Sequence, residues 1–357
     1  MEIKAEFKIP FYQYLNHFGQ LDPNCSIALS PEALRQYFRI MNLIQIFDKK
    51  AIALQRTGRM GTYAPIHGQE AIGTAIGMTL AADDVFIPYY RDYATLYQRK
   101  VKLSDILRFW GGDEFSMAYS HQSHDFPLCV PIASQCLHAA GVAHALKYKN
   151  TKHIALVTIG DGGTSEGDFY EAMNVAGAWQ LPVVFVIQNN QWAISVPLSQ
   201  QTHCQTLAQK AIAAGFEGIQ VDGNDVFALH ERLTAAIEKA RTGGGPSLIE
   251  ALSYRLSDHT TADDATRYQP SEEVKAAQAF KPIERLKKYI LSQEILSEAD
   301  IKKMMHDCEQ EVEAQIEEYL NLPSPLIQTA FDYHYAELPD YLIEQRAEAM
   351  EEYHAND

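Results

Sequence analysis

Two apolar runs in the middle of the chain constrain the fold more than any other feature. They read HIALVTIG at residues 153–160 and PVVFVIQ at residues 182–188, without a regular alternation of polar and apolar side chains. Such runs are typical of strands that are buried on both faces, as in parallel sheets covered by helices. The segment between them, EGDFYEAMNVAGAW, is helical in character. The sequence therefore predicts a strand–helix–strand unit.

The same alternation recurs along the chain. GIQVDG, DVFALHERLTAAIEKARTG and PSLIEALSYR predict a second strand–helix–strand unit, and DDVFIPYYRD predicts a short strand followed by a turn. Helices are predicted from Ser30, which is a suitable N-cap before Pro31, and also over residues 68–81 and 134–147. We therefore expect an α/β fold with a mostly parallel sheet and helices on both faces.

The pattern of segments divides the chain into three parts. Residues 1–30 suggest a loosely structured N-terminal arm, and residues 31–270 carry the α/β domain. Residues 271–357 predict charged amphipathic helices and an acidic, aromatic tail, which we expect to pack on that domain or on a partner subunit.

Composition excludes several classes of function. The formal net charge of -16 argues against non-specific binding to nucleic acid, which depends on Lys and Arg at phosphates. No apolar run reaches the length of a membrane span, and no secretory signal is evident. The five cysteines form no CxxC pair, which argues against a disulfide framework or a zinc site. We expect a cytoplasmic protein with reduced thiols.

A glycine-rich turn follows the first buried strand and carries one carboxylate. Gly160, Gly162 and Gly163 surround Asp161, and glycines allow the backbone to approach a ligand closely. The N–H groups that begin the next helix favour an anion such as phosphate. A carboxylate beside a phosphate needs a cation between them, which indicates Mg²⁺. Alternatively, Asp161 is a turn residue or an N-cap.

An asparagine pair ends the next predicted strand, 26 residues after the Gly-Asp-Gly turn. Strand ends of a parallel sheet share one edge, so the amide oxygen of Asn190 can join Asp161 at a metal diphosphate. A Rossmann nucleotide site is the rival, but GDGGTSEG is not GxGxxG and no ribose-binding acid lies about twenty residues on.

Six collinear stretches of the chain read LQRTGRMGTYAPIHGQEA, PYYRDYATLYQR, GDGGTSEGDFYEAMNVAGAWQLPVVFVIQNNQWAIS, QTLAQKAIAAGFEGIQVDGNDV, GPSLIEALSYR and DHTTADDATRY. Together they resemble one family, the alpha subunit of the decarboxylating first component of 2-oxo acid dehydrogenase complexes. The resemblance spans roughly residues 35–270 and includes the family's thiamine diphosphate motif. It implies the thiamine diphosphate-binding fold, with this chain as the domain that holds the diphosphate.

The resemblance also implies a set of site residues. Mg²⁺ would be bound by Asp161, Asn190 and the carbonyl group of Trp192. The cofactor would contact residues on five segments, namely Tyr90, Arg91, Ile132, Gly160, Asp161, Gly162, Gly163, Asn190, Trp192, Ile194 and His259. A monovalent cation such as K⁺ would lie near Pro131, Ser134 and Gln135. Taken alone, Arg91 also suits a surface ion pair with Asp92, and Ile194 suits core packing.

His259 is the catalytic residue that the resemblance implies, because in the family this histidine lies near the reactive part of the cofactor. Arg255 is expected to pair with an acid of the same loop, Asp263 or Asp264. The sequence departs from the family before VPIASQ, where Tyr119, His121 and His124 do not align with a further histidine of some relatives.

The chain offers one diphosphate-type domain, whereas in the family that it resembles the cofactor is activated by a glutamate from a second domain. The resemblance therefore implies a beta subunit that supplies this glutamate in an α2β2 assembly, and a lipoyl-bearing acyltransferase as acceptor. Pyruvate is the first expected substrate, branched-chain 2-oxo acids the second and acetoin the third. A non-catalytic interaction subunit and an NAD-dependent oxidoreductase are the alternatives from other classes.

Overall fold

The computed structural model of the chain describes residues 2–25, 27–119, 124–323 and 325–356. The strands are β1 (Phe11–Tyr12), β2 (Val85–Ile87), β3 (Ala155–Gly160), β4 (Val183–Asn189), β5 (Trp192–Ala193), β6 (Val196–Pro197), β7 (Glu217–Asp222) and β8 (Ser247–Leu252). Six of them form a parallel sheet in the order β1-β7-β8-β4-β3-β2, and β5 and β6 form a separate antiparallel pair.

Helices alternate with these strands, as the sequence predicts. The helices are α1 (Pro31–Arg56), α2 (Glu70–Thr79), α3 (Tyr93–Gln98), α4 (Leu103–Trp110), α5 (Ser134–Tyr148), α6 (Gly167–Trp179), α7 (Leu198–Gln201), α8 (Lys210–Ala213), α9 (Val226–Arg241), α10 (Ser271–Gln278), α11 (Pro282–Ser292), α12 (Glu298–Leu320), α13 (Thr329–Asp332) and α14 (Asp340–Asn356). The prediction of an α/β fold with a parallel, helix-covered sheet is confirmed.

The two apolar runs lie at the centre of the sheet. Every residue of β4 is buried, and β3 is buried up to its final glycine. Alternate residues of these strands, such as Val157 and Phe185, join α5 and α6 in one apolar core. Helix α9 packs against β4, β7 and β8. Burial on both faces explains why these runs show no alternation.

Strand register brings the carboxyl ends of the strands to one edge. Gly160 pairs with Gln188, and Leu252 pairs with both Asn189 and Asp222. Residues that follow β3, β4 and β8 are therefore neighbours in space, although 29 and 92 residues separate β3 from the ends of β4 and β8. Ligands of open α/β sheets bind at this edge.

The N-terminal arm is more ordered than the sequence suggests. Phe11–Tyr12 adds the edge strand β1 beside β7, and Leu15 is fully buried. The backbone N–H of Leu15 donates to Asp225, and its carbonyl accepts from buried Arg285. The prediction of a loosely structured arm is therefore wrong for this part of the arm. Its partners lie more than two hundred residues away, so the local sequence could not reveal them.

The predicted N-cap of α1 is confirmed, and a proline marks a second helix start that the sequence analysis did not single out. Ser30 caps α1, and its hydroxyl accepts from the N–H of Ala33 at 3.1 Å. Pro282 begins α11 and separates it from α10, since proline suits a first turn and not a helix interior.

The chain divides into two compact units, Met1–Ile316 and Glu317–Asp357. The first contains the sheet, and the second contains α13 and α14. No helix within the described residues combines the length and the apolar character that crossing a membrane requires. All five cysteines are free thiols.

Candidate active site

A cavity of about 220 Å³ opens at the carboxyl ends of β3 and β4. All the residues that the sequence predicts to contact a cofactor line this cavity. They are Tyr90, Arg91, Ile132, Gly160, Asp161, Gly162, Gly163, Asn190, Trp192, Ile194 and His259. Sequence reasoning missed further wall residues, among them Tyr89, Cys129 and Glu166. One wall therefore combines a carboxylate, amides, a guanidinium and an imidazole.

A larger cavity of about 630 Å³ lies elsewhere, lined by residues such as Arg56, Pro65, Leu256 and Lys275. It contains none of the predicted site residues. We place the candidate site in the smaller cavity, because that cavity, unlike the larger one, concentrates buried polar groups at the ends of β3 and β4.

Asp161 is the buried carboxylate of the site. It follows β3 and is 1% exposed. Its Oδ1 accepts from the N–H of Asn190 at 3.3 Å, whereas its Oδ2 is buried and has no hydrogen-bond partner among the described residues. Burial raises the pKa of Asp161 to about 6. A buried carboxylate oxygen without a donor is costly unless a cation compensates it.

Two glycines of the turn, Gly162 and Gly163, leave no room for side chains. A Cβ atom at Gly162 would lie 2.7 Å from the Cβ of Ala193, and one at Gly163 would lie 2.7 Å from Ile159. The segment Gly162–Ser165 forms a 3₁₀ turn, and α6 begins only at Gly167. The backbone of the turn therefore lines the cavity directly.

A buried lysine, which sequence reasoning missed, fixes this turn from behind. Lys210 is 6% exposed, and its Nζ donates to the carbonyl of Thr164 at 2.6 Å and to its hydroxyl at 3.1 Å. The Thr164 hydroxyl in turn donates to the carbonyl of Asp161. The positive charge of Lys210 thus lies close behind the glycine turn.

Asn190 faces Asp161 from the end of β4. Its amide nitrogen donates to Gln69 at 2.7 Å, and its Oδ1 accepts from the N–H of Trp192 at 3.2 Å. The carbonyl of Trp192 accepts from Arg255 at 3.3 Å. The described residues contain no group of three or more His, Cys, Asp or Glu side chains suited to a metal. The predicted Mg²⁺ ligands are of another kind, with one carboxylate, one amide and one carbonyl.

Arg91 connects the two sides of the cavity. It is 5% exposed, and it donates to the Tyr90 hydroxyl at 3.0 Å and to the carbonyls of Pro65 and His259. It forms no hydrogen bond with Asp92, whose carboxyl group accepts from Tyr89, Thr158 and Gln188. The alternative of a surface ion pair between Arg91 and Asp92 is therefore wrong.

His259 is held in one protonation state. Burial and the nearby charges of Arg91 and Arg255 lower its pKa to about 3, so the ring is neutral near pH 7. Arg91 Nη2 lies 3.2 Å from His259 Nδ1. Because a guanidinium group only donates, Nδ1 accepts and the ring proton lies on Nε2. The imidazole can therefore donate a hydrogen bond without carrying charge.

The loop around His259 is organised differently from the prediction. Arg255 is 1% exposed, and within the described residues it forms no ion pair with a carboxylate. It donates to the carbonyls of Trp192, Ile194 and Ser257 and to the hydroxyl of Tyr268. Tyr268 then donates to Asp263, which also accepts from the backbone N–H of His259. The arginine thus reaches the acid only through a tyrosine.

Apolar side chains form an exposed rim on the cavity. Ile132 is 50% exposed and Ile194 is 57% exposed, and Val130, two residues before Ile132, is 47% exposed. Ile194 adopts a φ of 55°, and Ala133 a φ of 68°. A β-branched residue rarely occupies this left-handed region, so the backbone presents Ile194 at an energetic cost. Core packing, the alternative for Ile194, is excluded by its exposure.

The three residues that are predicted to lie near a monovalent cation do not all line this cavity. Gln135 lines the cavity, whereas Pro131 and Ser134 do not. The Ser134 hydroxyl donates to the Pro131 carbonyl at 2.9 Å, and Gln135 Oε1 is buried and meets no hydrogen-bond partner in the part of the chain that the structure describes.

The segment before VPIASQ adds no histidine to the cavity among the described residues. Tyr119 donates to the carbonyl of Phe126, and His124 is exposed. His121, the third candidate, lies outside the described residues. Of the described histidines, His259 alone lines the cavity.

Fold and site define an α/β protein that presents a buried carboxylate, a glycine turn and amides at the carboxyl ends of parallel strands. The chain belongs to the dehydrogenase E1 component family, whose family model matches residues 38–327. The resemblance seen in the sequence is confirmed.

Curated relatives cover nearly the whole chain. A Mycoplasma pneumoniae protein named pyruvate dehydrogenase E1 component subunit alpha is 39% identical over 98% of this chain and 98% of its own length. Its namesake from Mycoplasma genitalium is 38% identical over 97% of this chain and 98% of its own. The Staphylococcus epidermidis protein of the same name is 38% identical over 96% and 93%.

Dehydrogenase E1 components in general depend on thiamine diphosphate, and the residues of this cavity fit that group. The unpartnered Oδ2 of Asp161 is placed for a cation. The glycine turn admits no side chain where the backbone must approach a diphosphate. Arg91 adds a buried positive charge on the same wall.

Proposed function

We propose that this chain is the alpha subunit of a pyruvate dehydrogenase E1 component. With its partner it would decarboxylate pyruvate oxidatively and transfer the acetyl group to a lipoyl group of the acyltransferase component. Relatives of that name at 37–39% identity, aligned over up to 98% of this chain, support the assignment. The observation that carries it in the structure is the orphaned Asp161 Oδ2 beside Asn190.

We propose that Asp161, Asn190 and the carbonyl of Trp192 hold Mg²⁺, which prefers hard oxygen ligands. Gly160, Gly162 and Gly163 would contact the diphosphate through their backbone. Tyr90 and Arg91 would both contact the cofactor, with Arg91 at the diphosphate, since a guanidinium group can bind two oxygens at once. Ile132 and Ile194 would support the rest of the cofactor.

Thiamine diphosphate, when bound, supplies the electron sink for decarboxylation. His259 would then act as the catalytic residue of this chain, with a neutral ring whose Nε2–H donates to oxygen as charge develops. Arg91 would hold that ring through Nδ1 and orient it. The apolar rim would exclude water from the reacting atoms.

The assembly we propose is an α2β2 heterotetramer in the cytoplasm. A beta subunit would supply the activating glutamate and cover Val130, Ile132 and Ile194, the exposed apolar rim. Residues 31–270 would form the cofactor-binding domain, residues 1–30 the arm and residues 271–357 the C-terminal layer. A monovalent cation such as K⁺ near Pro131, Ser134 and Gln135 is proposed on the unpartnered Oε1 of Gln135.

Co-expression with the candidate beta partner tests this function. The assembly would be assayed with Mg²⁺ and thiamine diphosphate for reduction of an artificial electron acceptor by pyruvate or by 3-methyl-2-oxobutanoate. Faster turnover of pyruvate is expected. A preference for the branched acid would reassign the substrate to branched-chain 2-oxo acids. Turnover of acetoin alone would assign acetoin as the substrate. A folded assembly that binds no cofactor would refute the roles of Asp161 and Asn190.

A further inference from the structure

A hydrogen-bonded chain of buried side chains, distinct from the polypeptide chain itself, runs beneath the cavity and ends at Asn190. Its members are Asp92, Gln188, Tyr89, Gln69 and Asn190, and each is at most 3% exposed. They come from three segments of the chain, and among them the sequence predicts a role at the site for Asn190 alone. The chain has a direction, because each amide has one end that donates and one that accepts.

The direction can be read from the end at the cavity. The backbone N–H of Trp192 can only donate, so the atom of Asn190 that it meets at 3.2 Å is the oxygen. The amide nitrogen of Asn190 therefore points away and donates to Gln69 Oε1 at 2.7 Å. Gln69 must then present its own nitrogen to the next members of the chain.

The opposite end gives the same direction. The N–H of Tyr89 donates to Asp92 Oδ2 at 3.0 Å, and Gln188 Nε2 donates to Asp92 Oδ1 at 2.5 Å. Gln188 Oε1 therefore points the other way and accepts from the Tyr89 hydroxyl at 3.1 Å and from Gln69 Nε2 at 3.2 Å. Gln69 Nε2 also donates to the Tyr89 hydroxyl at 2.8 Å.

We propose that Gln69 is a positioning residue that fixes the orientation of the Asn190 amide, and that Asp92 sets the direction of the whole chain. With its nitrogen bound to Gln69, Asn190 keeps its oxygen at the N–H of Trp192, where it is available as the proposed Mg²⁺ ligand. Reversal of any one amide would set two donors or two acceptors against each other in a buried site. The inference rests on the proposed function, in which Asn190 is a ligand of Mg²⁺.

Substitutions that exchange hydrogen-bond donors and acceptors at the two ends of this series of side chains provide the test. Gln69→Glu removes the donor that faces Gln188 Oε1, and Asp92→Asn places a donor against Gln188 Nε2. Each change alone breaks the direction of the chain. Together they allow Gln188 to turn over, so that Oε1 accepts from the new amide at position 92 and Nε2 donates to the new carboxylate at position 69.

The experiment measures the apparent Kd of MgCl₂ for the α2β2 assembly at saturating thiamine diphosphate, by quenching of tryptophan fluorescence. Each single variant is expected to weaken Mg²⁺ binding roughly 10–100-fold, as loss of an outer partner of a metal ligand does. The double variant is expected to recover to within about fivefold of wild type, because neighbours in one network are not additive. Gln98→Leu is the control, since Gln98 donates only to the carbonyls of Thr74 and Ala94.

Additive losses in the double variant, or wild-type affinity in both single variants, would overturn the proposal. Assembly and thermal unfolding of each variant are measured alongside, and Gln69→Leu provides a neutral substitution if a charged one prevents folding. A wild-type assembly that binds no thiamine diphosphate with Mg²⁺ would instead refute the proposed function. The two failures are therefore distinguishable.

Discussion

Replacing Asp161 by asparagine is expected to stabilise the ligand-free chain while it abolishes stabilisation by the cofactor. Burial raises the pKa of Asp161 from 3.8 to about 6. A carboxyl group whose pKa is higher in the folded state favours folding when protonated, so its contribution is lost as pH rises from about 4 through 6. Above that window the folded chain carries an unfavourable buried charge.

The magnitude follows from the same pKa. A rise of about two pH units corresponds to about 3 kcal/mol at pH 7, since one unit is about 1.4 kcal/mol. Asp161→Asn removes this charge, and its new amide faces the cavity. We expect the variant to be more stable than wild type by up to about 3 kcal/mol at pH 7 and by less than about 1 kcal/mol at pH 4.

Urea unfolding of the chain at both pH values measures this difference. Asp83→Asn is the control, because Asp83 is exposed and its replacement should change stability by less than about 0.5 kcal/mol. Adding MgCl₂ and thiamine diphosphate at about 100 times Kd should stabilise wild type by about 2.7 kcal/mol and the variant hardly at all. A variant that is less stable than wild type at pH 7, or that is equally stabilised by the cofactor, would refute the reasoning.

Three further predictions concern the walls of the cavity. Gly162→Ala should destabilise the chain by about 1–3 kcal/mol in urea unfolding, because its Cβ would lie 2.7 Å from Ala193; unchanged stability would show that the turn can move. His259→Ala should slow acyl transfer by roughly 10²–10⁴-fold with little change in cofactor Kd, and a variant as fast as wild type would contradict the catalytic role of His259. Because the pKa of His259 is lowered to about 3, the pH–rate profile of the wild type should show no inflection near pH 6.5 from this ring. Lys210→Met should weaken cofactor binding in a fluorescence titration, because Thr164 loses its charged donor, whereas Lys210→Arg should retain more of it; equal affinities in both variants would contradict this.

The sequence predicts well those parts of the site that depend on neighbours along the chain. Asp161 and Asn190 each follow an apolar run, and parallel pairing places such strand ends together without knowledge of other contacts. The α/β class follows from the same runs, and Ser30 and Pro31 mark the start of α1 by local rules.

Contacts between segments that lie far apart in the sequence are not predictable in this way. Gln69 lies in the HGQEA stretch, which carried the family resemblance, but its contact with Asn190 depends on how α2 sits against β4. The β1 edge strand is only two residues long and has no pattern of its own. Arg255 was expected to meet an acid by proximity in sequence, whereas its guanidinium group turns towards carbonyls at the cavity.

The exposed rim of Val130, Ile132 and Ile194 has a consequence for biosynthesis. On the proposed assembly, these side chains are covered only when a partner chain is present. A cell that synthesised this chain in excess would carry an apolar surface beside a half-formed site, and such surfaces promote aggregation. Balanced production of the two subunits would then be a requirement of protein quality control as well as of catalysis.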